Sequence, residues 1–183
     1  MRYGSSYTEI RTLPITAEVA EWIERQRVSV GLLTLYIPHT PASLLIQENA
    51  SPDVRRDLGA FLHRIVPENI ALYRHNDEGP DNMPAHIKSA LAQTQLSIPV
   101  TDGRLQLGTW QGIFLLEHRA SPHCRALILT LIGEEKSPPV VAASDTAAVN
   151  STFRSAVTEE RLLPFTARSD RCVLRRLCRL ACV

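Results

Sequence analysis

Val19, Trp22 and Ile23 recur at the three- and four-residue spacing of one helical face, and Thr16 stands where a side-chain oxygen would cap that helix. A second helix has fuller signals. Ser51 is placed as N-cap, Pro52 at the first helical position and Asp53 at the positive helix end. A stripe of Val54, Leu58, Phe61, Leu62 and Ile65 follows, and Pro67 stops it. A shorter helix beginning near Pro84 is expected to bury Ile87, Ala90 and Leu91. Residues 30–37 read as a mostly buried strand and residues 42–46 as another. Four more strands are read at 96–100, 104–107, 112–119 and 125–132, joined by Thr-Asp-Gly, Gly-Thr-Trp-Gln and Ser-Pro-His turns, which predicts an antiparallel meander. Helices and strands without regular βαβ alternation define an α+β class, antiparallel sheets packed with two to three helices.

The pattern changes at residue 137. Ser137-Pro138-Pro139 breaks the last strand, and residues 137–167, rich in Ala, Ser and Thr, read as linker or disorder. Residues 168–183 hold five arginines against one acid. Val173, Leu174, Leu177 and Leu180 could line a short helix there, which alone would be marginal in water. Residues 1–136 are therefore expected to form one domain, and 137–183 a loosely packed or disordered extension outside any site. The 183 residues are 44% hydrophobic and 21% charged with a net charge of +1, enough for one ordinary core. That balance argues against a basic nucleic-acid-binding surface and an acidic tail. No apolar run reaches the ~20 residues that cross a bilayer, and the polar first ten residues do not read as a secretory leader. Cys124, Cys172, Cys178 and Cys182 form no C-x-x-C pair, so reduced thiols in a cytoplasmic protein are expected.

Histidines carry most of the candidate chemistry. His63 lies opposite the second helix's stripe and His123 in a turn, so both are expected at the surface. His39 follows a strand, His75 sits in a polar loop, His86 opens the Pro84 helix, and His118 ends a strand. Near the positive helix end His86 would stay neutral, as a metal ligand must. For each of the four the competing reading is a hydrogen-bonded structural histidine, and no local zinc spacing joins them. The loop from Asn76 to Asn82 brings Asp77, Glu78 and Asp81 together, either as oxygen ligands or as a solvated turn capping the next helix. Gly108-Thr109-Trp110-Gln111-Gly112 is a glycine-bracketed loop, either a backbone cradle for phosphate or a tight turn anchored by Trp110.

Several segments together resemble the YjbQ family. They are the run from Pro38-His39-Thr40 to Gln47-Glu48-Asn49, the run from Tyr73-Arg74-His75 to Ala85-His86-Ile87-Lys88, Thr101-Asp102-Gly103, and Leu107-Gly108-Thr109-Trp110-Gln111-Gly112-Ile113, closed by Glu117-His118-Arg119. The resemblance implies an α+β homotrimer with secondary thiamine-phosphate synthase activity, joining a pyrimidine diphosphate to a thiazole phosphate and releasing pyrophosphate. It implies that His39, His75, His86 and His118 converge on a metal and anion pocket. His39, His75 and His86 are the expected ligands of a divalent ion, zinc or magnesium, although another set of three stays open. His118 is then the acid or base, with Asp81, Glu117 and Arg119 as further catalytic candidates. Lys88, Arg104, Asn49 and the loop Gly108 to Gly112 would hold phosphate. A small phosphorylated metabolite is the expected partner, with neither nucleic acid nor membrane. The alternatives are a metal- or anion-binding protein without turnover and a metal-dependent hydrolase of a phosphorylated metabolite. Two positions depart from the family pattern: Pro41 replaces the usual Ser, and Asn82 a common Asp.

Overall fold

The computed structural model describes residues 11–121 and 123–136, together with the backbone of 172–182. In chain order the elements are β1 (Arg11–Pro14), α1 (Thr16–Glu24), β2 (Val28–Tyr36), β3 (Ala42–Glu48), α2 (Pro52–Ile65), a 3-10 turn (Ile70–Leu72), α3 (Asn82–Leu91), β4 (Gln95–Thr101), β5 (Arg104–Leu105), β6 (Gln111–Glu117), β7 (Cys124–Glu135) and β8 (Cys172–Cys182). The class is α+β with three helices. The strands do not form one meander but two antiparallel sheets, ordered β1-β6-β3 and β5-β4-β2-β7-β8. Only the β4–β5 hairpin is local. Its turn places Asp102 at φ 52° and Gly103 at φ 74°, the two left-handed positions that suit a two-residue hairpin loop.

Both sheets and α1 share one core. Leu33 and Leu35 of β2, Ile98 of β4 and Leu129 and Leu131 of β7 meet Leu44 of β3 and Ile113 and Leu115 of β6 there. Val19, Trp22 and Ile23 join them from α1, as their spacing predicts. Thr16 does not cap α1. Its hydroxyl accepts the Ile113 N–H at 2.8 Å and so ties the helix start to β6. β2 is buried on one face only, because the alternate residues Val30, Leu32 and Tyr36 are exposed. Ser51 caps α2 as expected, accepting the Asp53 N–H at 3.3 Å. The stripe on α2, however, is only partly covered by the described residues: Val54, Leu58 and Leu62 are half-buried, Phe61 and Ile65 are exposed, and no residue of α2 is buried.

α3 is turned the opposite way from the sequence expectation. Asn82, Pro84, Ala85, Lys88 and Ser89 face inward, whereas Ala90 and Leu91 are exposed. Ser89 donates its hydroxyl proton to the Ala42 carbonyl at 3.0 Å, which pins the helix in that phase against β3.

The expected loose tail, with at most a short helix, is corrected for residues 172–182. They form β8, antiparallel to β7 from Cys124↔Cys182 to Glu134↔Cys172. A long strand beside an open edge satisfies its backbone along its whole length, an outcome that local periodicity does not reveal. Residues 137–171 and 183 lie outside the described residues. Cys124 is disulfide-bonded, which corrects the expectation of four free thiols. No helix among the described residues is long and apolar enough to cross a membrane.

Candidate functional site

The β3–β6 ladder runs from Ala42↔Glu117 at one end to Glu48↔Gln111 at the other. Most of the chemistry-bearing side chains gather at the first end, where charged groups are buried and must be paired. Glu117, 1% exposed, holds Arg125 through two contacts, Arg125 Nε to Oε2 at 2.7 Å and Nη2 to Oε1 at 2.8 Å. Its Oε1 also accepts the Arg119 N–H at 3.0 Å. A carboxylate so fully engaged braces β6 against β7.

Arg119 is committed in the same way. Its Nε donates to Asp81 Oδ2 at 3.1 Å, Nη1 to Asn82 Oδ1 at 2.9 Å, and Nη2 to the Glu78 carbonyl at 2.9 Å. Asp81 Oδ2 also takes the Ala120 N–H at 2.8 Å. Burial works to raise the Asp81 pKa, but the Ala120 amide and the Arg119 guanidinium together bring it below the ordinary carboxylate value. Arg119 and Asp81 therefore clamp the 78–82 loop onto the end of β6, and Asp81 stays ionised. Because Asn82 Oδ1 is taken, its Nδ2 donates to His75 Nε2 at 3.0 Å. The His75 and His86 rings lie 5.6 Å apart, tilted at 48°.

A second group lies where α3 meets β3 and β6. His118 follows β6, its backbone N–H donating to the Pro41 carbonyl at 3.2 Å. Its ring is buried, with Nε2 2.8 Å from Ser43 Oγ. Its Nδ1 is buried with no hydrogen-bond partner among the described residues. Lys88 is 1% exposed, and its Nζ reaches Glu68 Oε1 at 3.4 Å. That is longer than the ~2.8 Å of a strong charge-assisted bond, so the ammonium is only partly compensated. Burial first, then the Lys88 charge, lowers the His118 pKa to about 4, with Arg125 adding to the effect and Glu117 opposing it. His118 is therefore neutral at physiological pH. His63 is not a free surface histidine, since its Nδ1 lies 3.9 Å from Glu68 and its side chain is 20% exposed.

The four expected histidines each meet a partner around the Glu117, Arg119 and Arg125 cluster. His75 and His86 come together, His118 meets Ser43, and His39 Nε2 accepts the Ala126 N–H at 2.8 Å. The His39 pKa is lowered, first by burial and then by Arg125, against Glu117. Nε2 of both His39 and His75 already faces a protein donor. Among the described residues no group of three or more His, Cys, Asp or Glu side chains could hold a metal ion. The residues present do not fit the expected zinc or magnesium centre.

The expected phosphate ligands divide. Lys88 belongs to the His118 group, whereas Arg104 is exposed on β5 of the other sheet. Asn49 and the loop Gly108 to Gly112 sit at the far end of the ladder, near β3 residues about 16 Å from Ser43 at ~3.3 Å per residue. Two of that loop's amides are used internally: Gly108 N–H donates to Gln111 Oε1 at 2.8 Å, and Gln111 N–H to the Gly108 carbonyl at 2.9 Å. Trp110 is 65% exposed, so it does not anchor the turn in the core. Ser43, Asn82, Arg125 and Glu68 were not among the candidates the sequence singled out. Ser43 lay inside a matched motif, and the change to Asn82 was the one available signal at that position.

An antiparallel α+β fold with a buried lysine, histidine and serine at the head of its β3–β6 ladder defines the class of protein to which this chain is compared. Residues 5–134 match the family model described as UPF0047 protein YjbQ-like, and the chain belongs to that family. It is 54% identical over 112 residues to UPF0047 protein sll1880 of Synechocystis, covering 61% of this chain and 76% of that protein. It is 48% identical over 121 residues to UPF0047 protein YjbQ of Escherichia coli O157:H7, covering 66% and 87%. A crystal structure of an uncharacterized conserved protein of the yjbq/upf0047 family from Clostridium acetobutylicum superposes with a TM-score of 0.62 at 35% identity, covering 69% of this chain and 94% of that one.

These relatives carry a family designation and no activity. With no metal-binding group among the described residues, this overturns the expectation of a metal-dependent thiamine-phosphate synthase.

Proposed function

We propose that this chain binds a small phosphorylated metabolite through its phosphate group at Lys88 and His118, with Ser43 and His118 as a proton-transfer pair beside it. The observation that carries the reading is the Nδ1 of His118, buried without a partner among the described residues, on a ring that feels the charge of the buried Lys88. An orphaned polar atom in such a place costs stability until a ligand satisfies it. Glu68 is the weak stand-in for that ligand, a carboxylate 3.4 Å from Lys88 and itself partly open to solvent. A bound phosphate would also offset the Lys88 charge, making His118 a better acceptor for the Ser43 proton.

The test is thermal unfolding of the protein with inorganic phosphate and phenyl phosphate, beside the same titration of Lys88→Met. The reading requires a saturable rise in Tm that Lys88→Met abolishes, worth about 2.7 kcal/mol at a hundredfold excess over Kd. An equal rise in Lys88→Met would overturn it.

The assembly we propose is a homotrimer. Its support is apolar surface that the protomer leaves uncovered: Phe61 and Ile65 on α2, with Ile70, Leu72 and Leu91 also exposed. Native mass spectrometry tests it. Phe61→Glu is expected to shift trimer to monomer, and a monomeric parent protein would refute it.

A further inference from the structure

At the end of β3 away from Ser43 lies a separate cleft of about 420 Å³, lined by Ile46, Gln47, Glu48, Ala50, Trp110 and Gln111. Its volume falls in the ~300–1,000 Å³ range of small-molecule sites. The lining has one carboxylate and no lysine, arginine or histidine. Such a wall repels phosphate. The neighbouring amides that could have served an anion are taken: Gly108 and Gln111 bond each other, and the Asn49 N–H donates to the Trp110 carbonyl at 2.9 Å. These same bonds fix the loop that presents Trp110, whose indole is 65% exposed. Glu48 is half-buried, its backbone N–H held by Gln47 Oε1 at 2.9 Å. Its carboxylate makes no ion pair or hydrogen bond among the described residues. An indole and an uncompensated carboxylate lining one cleft are the pairing that attracts an organic cation, through the ring's quadrupole and a charge-assisted contact.

We infer that this cleft binds a small organic cation, an alkylammonium or alkylguanidinium group, against the Trp110 indole with its charge met by Glu48. Ile46 and Ala50 supply apolar wall for the alkyl part. The inference is independent of the phosphate reading, because it uses different residues at the other end of the ladder.

The two tryptophans make the test direct, since Trp22 is buried in the core and Trp110 is not. The full-length protein is titrated with n-butylammonium, n-butylguanidinium and tetramethylammonium while Trp fluorescence is read, with n-butanol and inorganic phosphate as controls. The cations are expected to give a saturable change and the controls none. Glu48→Gln, which keeps the shape and removes the charge, is expected to weaken binding about tenfold. Trp110→Leu is expected to abolish binding by calorimetry. A lysine side chain of another protein presents the same group, so the tripeptide Gly-Lys-Gly is titrated in parallel. Tighter binding of the peptide than of butylammonium assigns the site to a protein partner, and the reverse assigns it to a free amine. Both results uphold a cation site. No saturable change up to tens of millimolar, equal binding of n-butanol, or unchanged affinity in Glu48→Gln would each overturn it.

Discussion

Replacing His118 with Asn should flatten part of the protein's acid sensitivity. The buried ring has a pKa of about 4 in the folded protein, against 6.5 for an ordinary histidine. As pH falls below 6.5 the unfolded chain takes up a proton at this position, and the folded protein does not until about pH 4. Between those values the unfolded state binds more protons, so stability falls with falling pH. The contribution is fully present above pH 6.5 and lost by about pH 4, and the gap corresponds to about 3 kcal/mol. His39 is also held below its ordinary value and adds to the same slope, but it is present in both proteins and cancels in their difference. Asp81 acts only below its ordinary value of 3.8, under this window. The assay is urea unfolding followed by Trp22 fluorescence at one fixed protein concentration, in steps from above pH 6.5 down to about pH 4. The parent should lose about 3 kcal/mol more than His118→Asn across that range. Parallel pH dependences in the two proteins would refute the reasoning, as would an NMR titration placing the His118 ring near 6.5.

Arg125→Leu should cost about 3–5 kcal/mol, because it strands the buried Glu117 carboxylate, while the double variant Glu117→Leu/Arg125→Leu should recover much of that loss in the same denaturation assay. Asn82→Ala removes one acceptor from Arg119 and the donor to His75, and should lower stability by about 1–3 kcal/mol in a thermal melt. Ending the chain after Lys136 leaves the core cluster intact but bares the β7 edge that β8 covers. Cooperative melting should persist, with new association seen by size-exclusion chromatography; loss of the cooperative transition would show that β8 belongs to the folding unit.

What the sequence made legible was mostly local. The α1 face, the Ser51-Pro52 start of α2 and the positions of the main strands follow from spacing and capping within a few residues. Sheet partnership was not legible: β6 leaves its sequence neighbours β4 and β5 to pair with β1 and β3, a choice made by burial across the core. β8 lay further out of reach, since its partner is about forty residues away and its own pattern equally suited a narrow helix. At the site, the sequence picked out His118 and Lys88 but treated Glu117, Asp81 and Arg119 as reactive. In the structure Asp81 pairs with Arg119, and Glu117 with Arg125, an arrangement that depends on partners outside the local sequence pattern. The histidines were expected to converge from their positions at strand ends, a polar loop and a helix start; which donors meet them, the Asn82 amide at His75 and the Ala126 N–H at His39, depends on residues the spacing does not reveal.

The orientation of α3 joins the fold to the site. Its apolar residues Ile87, Ala90 and Leu91 would ordinarily face the core, and burying a lysine in their place costs several kcal/mol unless something compensates its charge. Among the described residues that compensation is one long contact to a partly exposed glutamate. The inverted phase is nonetheless held firmly, by Ser89 on the Ala42 carbonyl, by the fully buried Ala85, and by Asn82 between Arg119 and His75. A helix fixed against its own amphipathic preference gives both faces a use. Lys88 faces the interior beside His118 and Ser43, where an oxyanion would complete its coordination. Leu91 is left on the outside, as Phe61 and Ile65 are on α2, where another copy of the chain would bury them. On the proposed reading, ligand binding and assembly would draw on the same rotation of a single helix, and a variant that returned Leu91 to the core would be expected to disturb both together.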